Sequence, residues 1–292
     1  MPTFPTPEPI SVTIDLPNGD VWIIATDRAD TVVDVRPNDE SDIAAAEETR
    51  VEFSGGKLLI KAPKRSSPFG MSWLLGSGDS VDVRIELPAG SSVVGEAGQG
   101  GFRCEGPLGD CRLRTDYGDI QLDQVGAVRL TTDSGEISVE RVSGTAEITT
   151  SCGDVRIGEI AGAAVIKNDH GECELGEVTG DLELNALDGD ISIERALGNV
   201  EAKTAHGSVR IGEVVRGLVA LTTAAGDLEV GIREGTAAWL DVRSMSGTVQ
   251  SALEPRDGPD QFEETVEVRA RSQDGDILIR RSSLDSGRRW VG

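Results

Sequence analysis

Apolar and polar residues alternate along the middle of the chain, and this alternation repeats about every 18 residues. From about Gly100 to Gly235, each repeat holds two short runs in which every second residue is aliphatic. A period of two residues is typical of a β-strand with one buried face. Aligned repeats stack the apolar positions into columns, one of which reads Ile120, Ile137, Val155, Cys173, Ile191, Val209 and Leu228. A single repeat cannot bury its own apolar face, so the pattern predicts an all-β, single-stranded parallel β-solenoid.

Two series of glycines divide each repeat into half-turns of about nine residues. We call the first series the first corner; it reads Gly118, Gly135, Gly153, Gly171, Gly189, Gly207 and Gly226. The second corner reads Gly109, Gly126, Gly144, Gly162, Gly180, Gly198, Gly217 and Gly235. Glycine tolerates the positive φ or the crowding of a sharp corner. A further inner column, predicted to form a hydrogen-bonded ladder beside the second corner, reads Thr132, Thr150, Asn168, Ala186, Thr204 and Thr223.

The flanks are less regular than the central repeats but have a similar strand pattern. We predict irregular N-terminal coils over 1–99, with a capping or insertion loop at 61–80, before a regular solenoid over 100–235. C-terminal coils follow over 236–281, interrupted by an insertion at 252–265, and 282–292 forms a flexible tail. One short helix is predicted in DESDIAAAEETR, with Asp39 or Ser41 as its N-cap.

Composition narrows the range of partners. The formal net charge of -23 argues against nucleic acid, whose phosphates require Lys and Arg. No apolar run is long enough for a transmembrane helix, and the N-terminus lacks the pattern of a signal peptide. Four cysteines without CxxC spacing favour a reduced, cytoplasmic setting, although a surface location stays open. We expect a monomer or small oligomer, with a protein partner or self-association.

The residue before each first-corner glycine forms a column that includes Cys152, His170, Asp188 and His206. These are metal-ligand types. Four residues in a line, at ~4.8 Å for each coil, extend too far to surround one ion. The favoured interpretation is a polar, exposed corner, and we predict no metal and no cofactor.

Acidic residues crowd the first corner and offer a second possible chemistry. A carboxylate-lined edge is one way to bind Ca²⁺. The GGxGxD signature of calcium-binding solenoids is missing, so solvated turn chemistry with Asp and Gly is the favoured interpretation. The central loops are short and no carboxylate pair stands out, so the sequence predicts no catalytic residues and no enzyme activity.

One apolar segment interrupts the strand pattern. It contains five large apolar residues between Gly and Ser: Phe69, Met71, Trp73, Leu74 and Leu75. An exposed apolar patch of this kind marks an interaction site. The segment is therefore predicted either to cap the end of the solenoid or to contact a partner.

Three stretches carry a resemblance to a known family: GGFRCEGPLGDCRL, the repeated TxxGD(I/V)x(I/V) units, and LEVGIREGTAAWLDV at Leu228–Val242. Together they resemble the bacterial putative-adhesin family of β-strand-repeat proteins, and the actinobacterial form is the most similar. The resemblance covers nearly the whole chain and implies a β-solenoid with no assigned catalysis. We therefore predict a non-enzymatic interaction or scaffold module. The alternative is a carbohydrate-binding or carbohydrate-active β-helix.

Overall fold

The computed structural model describes residues 1–63, 79–253 and 264–282. Strands dominate these ranges, and the chain divides into two compact units, Met1–Gly153 and Asp154–Gly292. Most neighbouring strands are parallel, and each coil contributes one strand to each of two sheets. The predicted β-solenoid is confirmed.

In its described residues, 1–63 and 79–153, the first unit contains fourteen strands and one short helix. Its strands are β1 (Thr3–Pro5), β2 (Ser11–Asn18), β3 (Val21–Thr26), β4 (Asp30–Pro37), β5 (Arg50–Ser54), β6 (Lys57–Lys61), β7 (Val81–Pro88), β8 (Ser92–Gln99), β9 (Phe102–Pro107), β10 (Cys111–Tyr117), β11 (Ile120–Val125), β12 (Val128–Ser134), β13 (Ile137–Val142) and β14 (Ala146–Cys152). Their order is β1-β4-β7-β3-β9-β11-β13 in one sheet and β5-β6-β2-β8-β10-β12-β14 in the other.

The second unit is built from strands in the same way. Its strands are β15 (Val155–Ile160), β16 (Ala164–His170), β17 (Cys173–Val178), β18 (Leu182–Asp188), β19 (Ile191–Ala196), β20 (Val200–His206), β21 (Val209–Val214), β22 (Gly217–Ala225), β23 (Leu228–Ile232), β24 (Thr236–Ser246), β25 (Val249–Ser251), β26 (Glu264–Asp274) and β27 (Ile277–Arg281). Their order is β15-β17-β19-β21-β23-β27-β25 and β16-β18-β20-β22-β26-β24.

The predicted apolar columns form the core of each unit. Ile191 pairs in register with Cys173 on one side and Val209 on the other, and all three side chains are buried. The residues between them face outward, as Ser192 does. The repeat length therefore sets the register, because a shift of one residue would turn every aliphatic side chain to the surface.

Glycine has a different role at each corner. The first-corner glycines have positive φ, 139° at Gly189, and a Cβ there would lie 2.0 Å from the carbonyl oxygen of Gly171. At the second corner, Gly180 lacks positive φ, but an added Cβ would lie 2.4 Å from the carbonyl oxygen of Gly162. Conformation and close stacking thus both require glycine at the first corner, whereas stacking alone requires it at Gly180.

The inner threonine column is buried as predicted, but its predicted place beside the second corner is wrong. Thr115 donates to the Gly100 carbonyl over 2.7 Å, and Thr223 donates to the Gly207 carbonyl over 3.0 Å. Both acceptors belong to the turn of the first corner, one coil earlier. The hydroxyls lie there because this column comes three residues before the first-corner glycine in every repeat.

The N-terminal coils depart from a purely parallel arrangement. Strand β4 pairs antiparallel with β7, and β1 and β5 also pair antiparallel with their neighbours. The predicted helix is present as a 3₁₀ turn at Glu40–Asp42 followed by α1 at Ile43–Glu48. Asp39 caps the turn by accepting the Ser41 N–H over 2.7 Å.

At the C-terminal end of the second unit, the coils are not stacked in chain order. The coil of β26 and β27 packs directly on β22 and β23, while the earlier coil of β24 and β25 lies outside it. The inner position suits β26 because Val266, Val268 and Ala270 form a regular apolar face that is buried from both sides.

Candidate functional site

The aspartates that directly follow corner glycines accept hydrogen bonds from backbone N–H groups. Each aspartate after a corner glycine accepts a backbone N–H from the next coil. The pairs are Asp20 with Gly101 (2.8 Å), Asp119 with Glu136 (2.8 Å), Asp154 with Glu172 (2.9 Å), Asp190 with Ser208 (2.8 Å) and Asp227 with Asp276 (2.7 Å). These contacts form an Asx-type ladder that closes the corners. They favour turn chemistry over a calcium-binding edge.

Three of the four residues of metal-ligand type in the column before the first-corner glycines lie together in the second unit. Asp188 lies between two histidines: His170 Nδ1 is 3.0 Å from Asp188 Oδ2, and His206 Nδ1 is 2.6 Å from Asp188 Oδ1. Strands β16, β18 and β20 position these residues by pairing in register. Each ring nitrogen that faces the column is used in a contact with the shared carboxylate.

This histidine–aspartate column is exposed and linear. Within the described residues, no group of three or more His, Cys, Asp or Glu has an arrangement that could hold a metal ion. The fourth predicted residue, Cys152, belongs to the first unit, where it is exposed and pairs in register with Ser134. The absence of a metal at this column stays a prediction.

The other three cysteines lie in the core, as their positions in the apolar columns predict. Burial raises the pKa of the Cys111 thiol to about 12 and that of Cys173 to about 11. Burial also raises the pKa of Cys104 well above its usual range. Because the thiolate is the reactive form, these three side chains are inert at neutral pH.

A feature that the sequence did not single out is the outer coil of the second unit. Strand β24 exposes Trp239 (66% exposed) and Met245 (78%), and Leu240 is also exposed. Leu240 pairs in register with the fully buried Val268, so it occupies a core-facing position. Within the described part of the chain, β24 pairs with β26 alone, which leaves its other edge and its apolar side chains open.

The sequence did contain a signal for this surface. Trp239 and Leu240 are adjacent, so in a strand one of these two large apolar residues must take an outward-facing position. The partner-contact candidates Phe69, Met71, Trp73, Leu74 and Leu75 lie outside the described residues, and their role stays a prediction. In the described ranges, no helix has the length and apolar character that crossing a bilayer requires.

The two-strand coils with glycine–aspartate corners define a repeat protein of the β-solenoid class. The chain belongs to the Toastrack DUF4097 family, whose model matches residues 10–215. Among solved structures, a putative adhesin from Parabacteroides merdae matches over 95% of this chain and 94% of its own, at 12% identity and a TM-score of 0.44. A putative adhesin from Bacteroides fragilis gives 12% identity and a TM-score of 0.36, with 95% of each chain covered. No curated protein matches the sequence.

Proposed function

We propose that this protein is a non-enzymatic interaction module that binds another polypeptide through β24. The observation that carries this proposal is the open edge of β24 together with its exposed Trp239, Leu240 and Met245. In the inner coils, the positions in register with Leu240 are fully buried, as at Val268. The outer coil therefore leaves Leu240 exposed at a position that the inner coils cover.

The geometry of β24 suits recognition by strand addition. An extended segment of a partner can pair with an open strand edge, so that main-chain hydrogen bonds supply affinity and alternate side chains supply specificity. Contiguous exposed apolar surface is typical of such contacts. The adhesin label of the similar solved structures is compatible with a binding role of this kind.

Two features support a role without catalysis. The corner aspartates accept backbone N–H groups, as Asp190 does from Ser208, so their carboxylates hold the coils together. The corners of the regular coils are also short, with two residues between β18 and β19, and do not build the walls of a cleft. Acid–base chemistry needs a carboxylate within reach of a bound substrate.

The test compares a β24 variant, Trp239→Ser with Met245→Ser, with the control Val165→Ser. Val165 is also an exposed apolar residue (36% exposed), but it lies on a regular inner strand. Each folded protein is immobilised, bacterial proteins that bind specifically are identified, and the affinity of the purified partner is measured. We expect the β24 variant to lose at least about tenfold in affinity, while the control binds like the wild type.

Two results would contradict the proposal. One is a specific partner whose affinity is unchanged in the β24 variant. A Trp73→Ser variant then tests whether the segment that contains Phe69 and Leu75 is the contact instead. The other is saturable binding to an array of glycans without any polypeptide partner, which would favour the carbohydrate-binding alternative.

A further inference from the structure

The first unit contains a polar cleft of about 350 Å³ where the first-corner edge meets the capped turn before α1. Four aspartates line it: Asp20, Asp39, Asp42 and Asp82. None of the described residues that line it is Lys, Arg or His. The described lining of the cleft is therefore acidic.

Three of these carboxylates are fixed by hydrogen bonds to the protein. Asp82 accepts the Asp20 N–H over 3.0 Å, and Asp20 accepts the N–H of Gly101 over 2.8 Å. Asp39 accepts the Ser41 N–H and hydroxyl, and these bonds hold the pKa of the Asp39 carboxyl below its usual value. Each carboxylate is thus held in place by one oxygen, which leaves its second oxygen for a ligand.

Asp42 differs from the other three. Asp42 is only 5% exposed, yet its carboxylate has no hydrogen-bond or ion-pair partner among the described residues. It stands at the N-cap position of α1 without making a side-chain cap bond, and α1 has only six residues. The oxygens of Asp42 are not among the described side-chain atoms that lack both a partner and contact with solvent, so water reaches them where Asp42 lines the cleft. A positively charged ligand in the cleft would pair with this carboxylate directly.

The size and chemistry of the cleft define the ligand class. Within the described residues, no set of three acidic side chains is arranged to hold a bare metal ion. A volume of about 350 Å³ is that of a site for a small organic group rather than a single ion. Carboxylates only accept hydrogen bonds, so the ligand must supply donors and positive charge. Primary ammonium and guanidinium groups meet both requirements.

We propose that this cleft binds an organic cation, a primary ammonium or guanidinium group, with Asp42 as its buried counter-charge. The cleft is formed by the first unit and does not involve β24, so this inference stands independently of the proposed function. The net charge of -23 raises the local concentration of cations around the protein and so favours their capture.

The proposal is tested by titration calorimetry of the full chain with agmatine, spermidine and a short Lys- and Arg-containing peptide, at low and moderate salt. Asp42→Asn removes the buried charge without changing the side-chain shape. Asp133→Asn removes the same charge from an exposed position of the first unit and serves as the matched control. We expect saturable binding of one equivalent, weakened at least about tenfold by Asp42→Asn and less than about twofold by Asp133→Asn.

A second measurement keeps the test decisive. The ligand should raise the melting temperature of the wild type but not that of the Asp42→Asn variant. If the Asp42→Asn variant does not fold, the Asp39→Asn variant is measured in its place. Tighter binding of the peptide than of the free amines would identify a polypeptide as the source of the cation, and the reverse would identify a small amine. The proposal is overturned if the wild type shows no saturable binding, if both variants weaken it equally, or if Ca²⁺ or Mg²⁺ alone binds with the same stoichiometry and dependence on Asp42.

Discussion

Each inward-facing residue of the solenoid packs between equivalent residues of the coils before and after it. Ile193 lies between Leu175 and Ile211, and all three side chains are buried. A substitution there affects three coils at once, because stability in a repeat protein is transmitted between neighbours. Outward positions of the same strand have no such neighbours in the core.

The first prediction concerns this contrast within β19. Ile193→Asp places a charge without a partner in the core and is expected to lower the free energy of unfolding by about 3–5 kcal/mol. Ser192→Asp adds the same charge to the exposed face of that strand, and we expect a change within about 0.5 kcal/mol. Denaturant unfolding of both variants is the measurement, and equal stability would show that the register is wrong.

The second prediction concerns the thiols. At pH 7.5 the raised pKa values of Cys104, Cys111 and Cys173 keep these groups protonated, so native protein should react with a thiol reagent at Cys152 alone. Unfolded protein should react at all 4 cysteines. Rapid reaction of a second thiol in the native protein would show that the core is open.

At the scale of elements, the corners decide how closely the coils can stack. Gly189 combines positive φ with a carbonyl oxygen 2.0 Å from the position of a Cβ. Gly235 also has positive φ, 82°, but nothing lies within 4 Å of its Cβ position. Gly235 is therefore required by its backbone conformation alone, whereas Gly189 is required by its conformation and by close stacking of the coils.

The third prediction uses this pair. Gly235→Ala should cost about 1–2 kcal/mol, the strain of a left-handed conformation. Gly189→Ala also strains the backbone and adds overpacking against Gly171 of the preceding coil, about 1–3 kcal/mol more. Thermal unfolding should rank the variants in that order, and the opposite order would show that stacking at the corner is loose.

The fourth prediction concerns the column of His170, Asp188 and His206. Because the two imidazoles contact one carboxylate from opposite sides along a line, purified protein is expected to contain well below one equivalent of zinc or calcium. Elemental analysis provides the measurement. About one zinc per chain, lost when His170 and His206 are changed to Ala, would establish a metal site instead.

Periodicity predicted the strands, the core columns and the corner glycines, because each repeats in every coil. It could not predict that β26 packs inside β24, since the core-facing positions of both strands carry aliphatic residues and either strand could pair with β22. The antiparallel strand β4 was also hidden, because alternation does not encode strand direction. The cleft around Asp42 joins residues from distant parts of the chain and has no local pattern at all.

For the whole molecule, charge opposes association while the open edge of β24 favours it. The net charge of -23 produces repulsion between copies that salt screens over ~10 Å at 0.1 M. Apolar contacts are not screened in this way. Association should therefore increase with salt if the apolar surfaces are accessible.

The fifth prediction is a monomer or small oligomer in moderate salt, measured by light scattering across a salt series. Any association at high salt should decrease in a variant that carries Trp239→Ser and Met245→Ser. A variant with Trp73→Ser and Leu74→Ser tests the separate apolar segment. Long filaments that neither variant shortens would show that the ends of the solenoid pair through their backbone alone.

The inverted order of the last two coils also has a consequence for synthesis. The ribosome delivers β24 before β26, although β26 is its partner and must lie between it and β22. At about 5–20 residues per second, the delay between the two strands lasts a few seconds. During that time β22 has a free edge, and β24 is the nearest strand that can occupy it. Correct folding of this end thus requires either that β24 stays unpaired until β26 is synthesised, or that β24 first pairs with β22 and then dissociates from it when β26 becomes available.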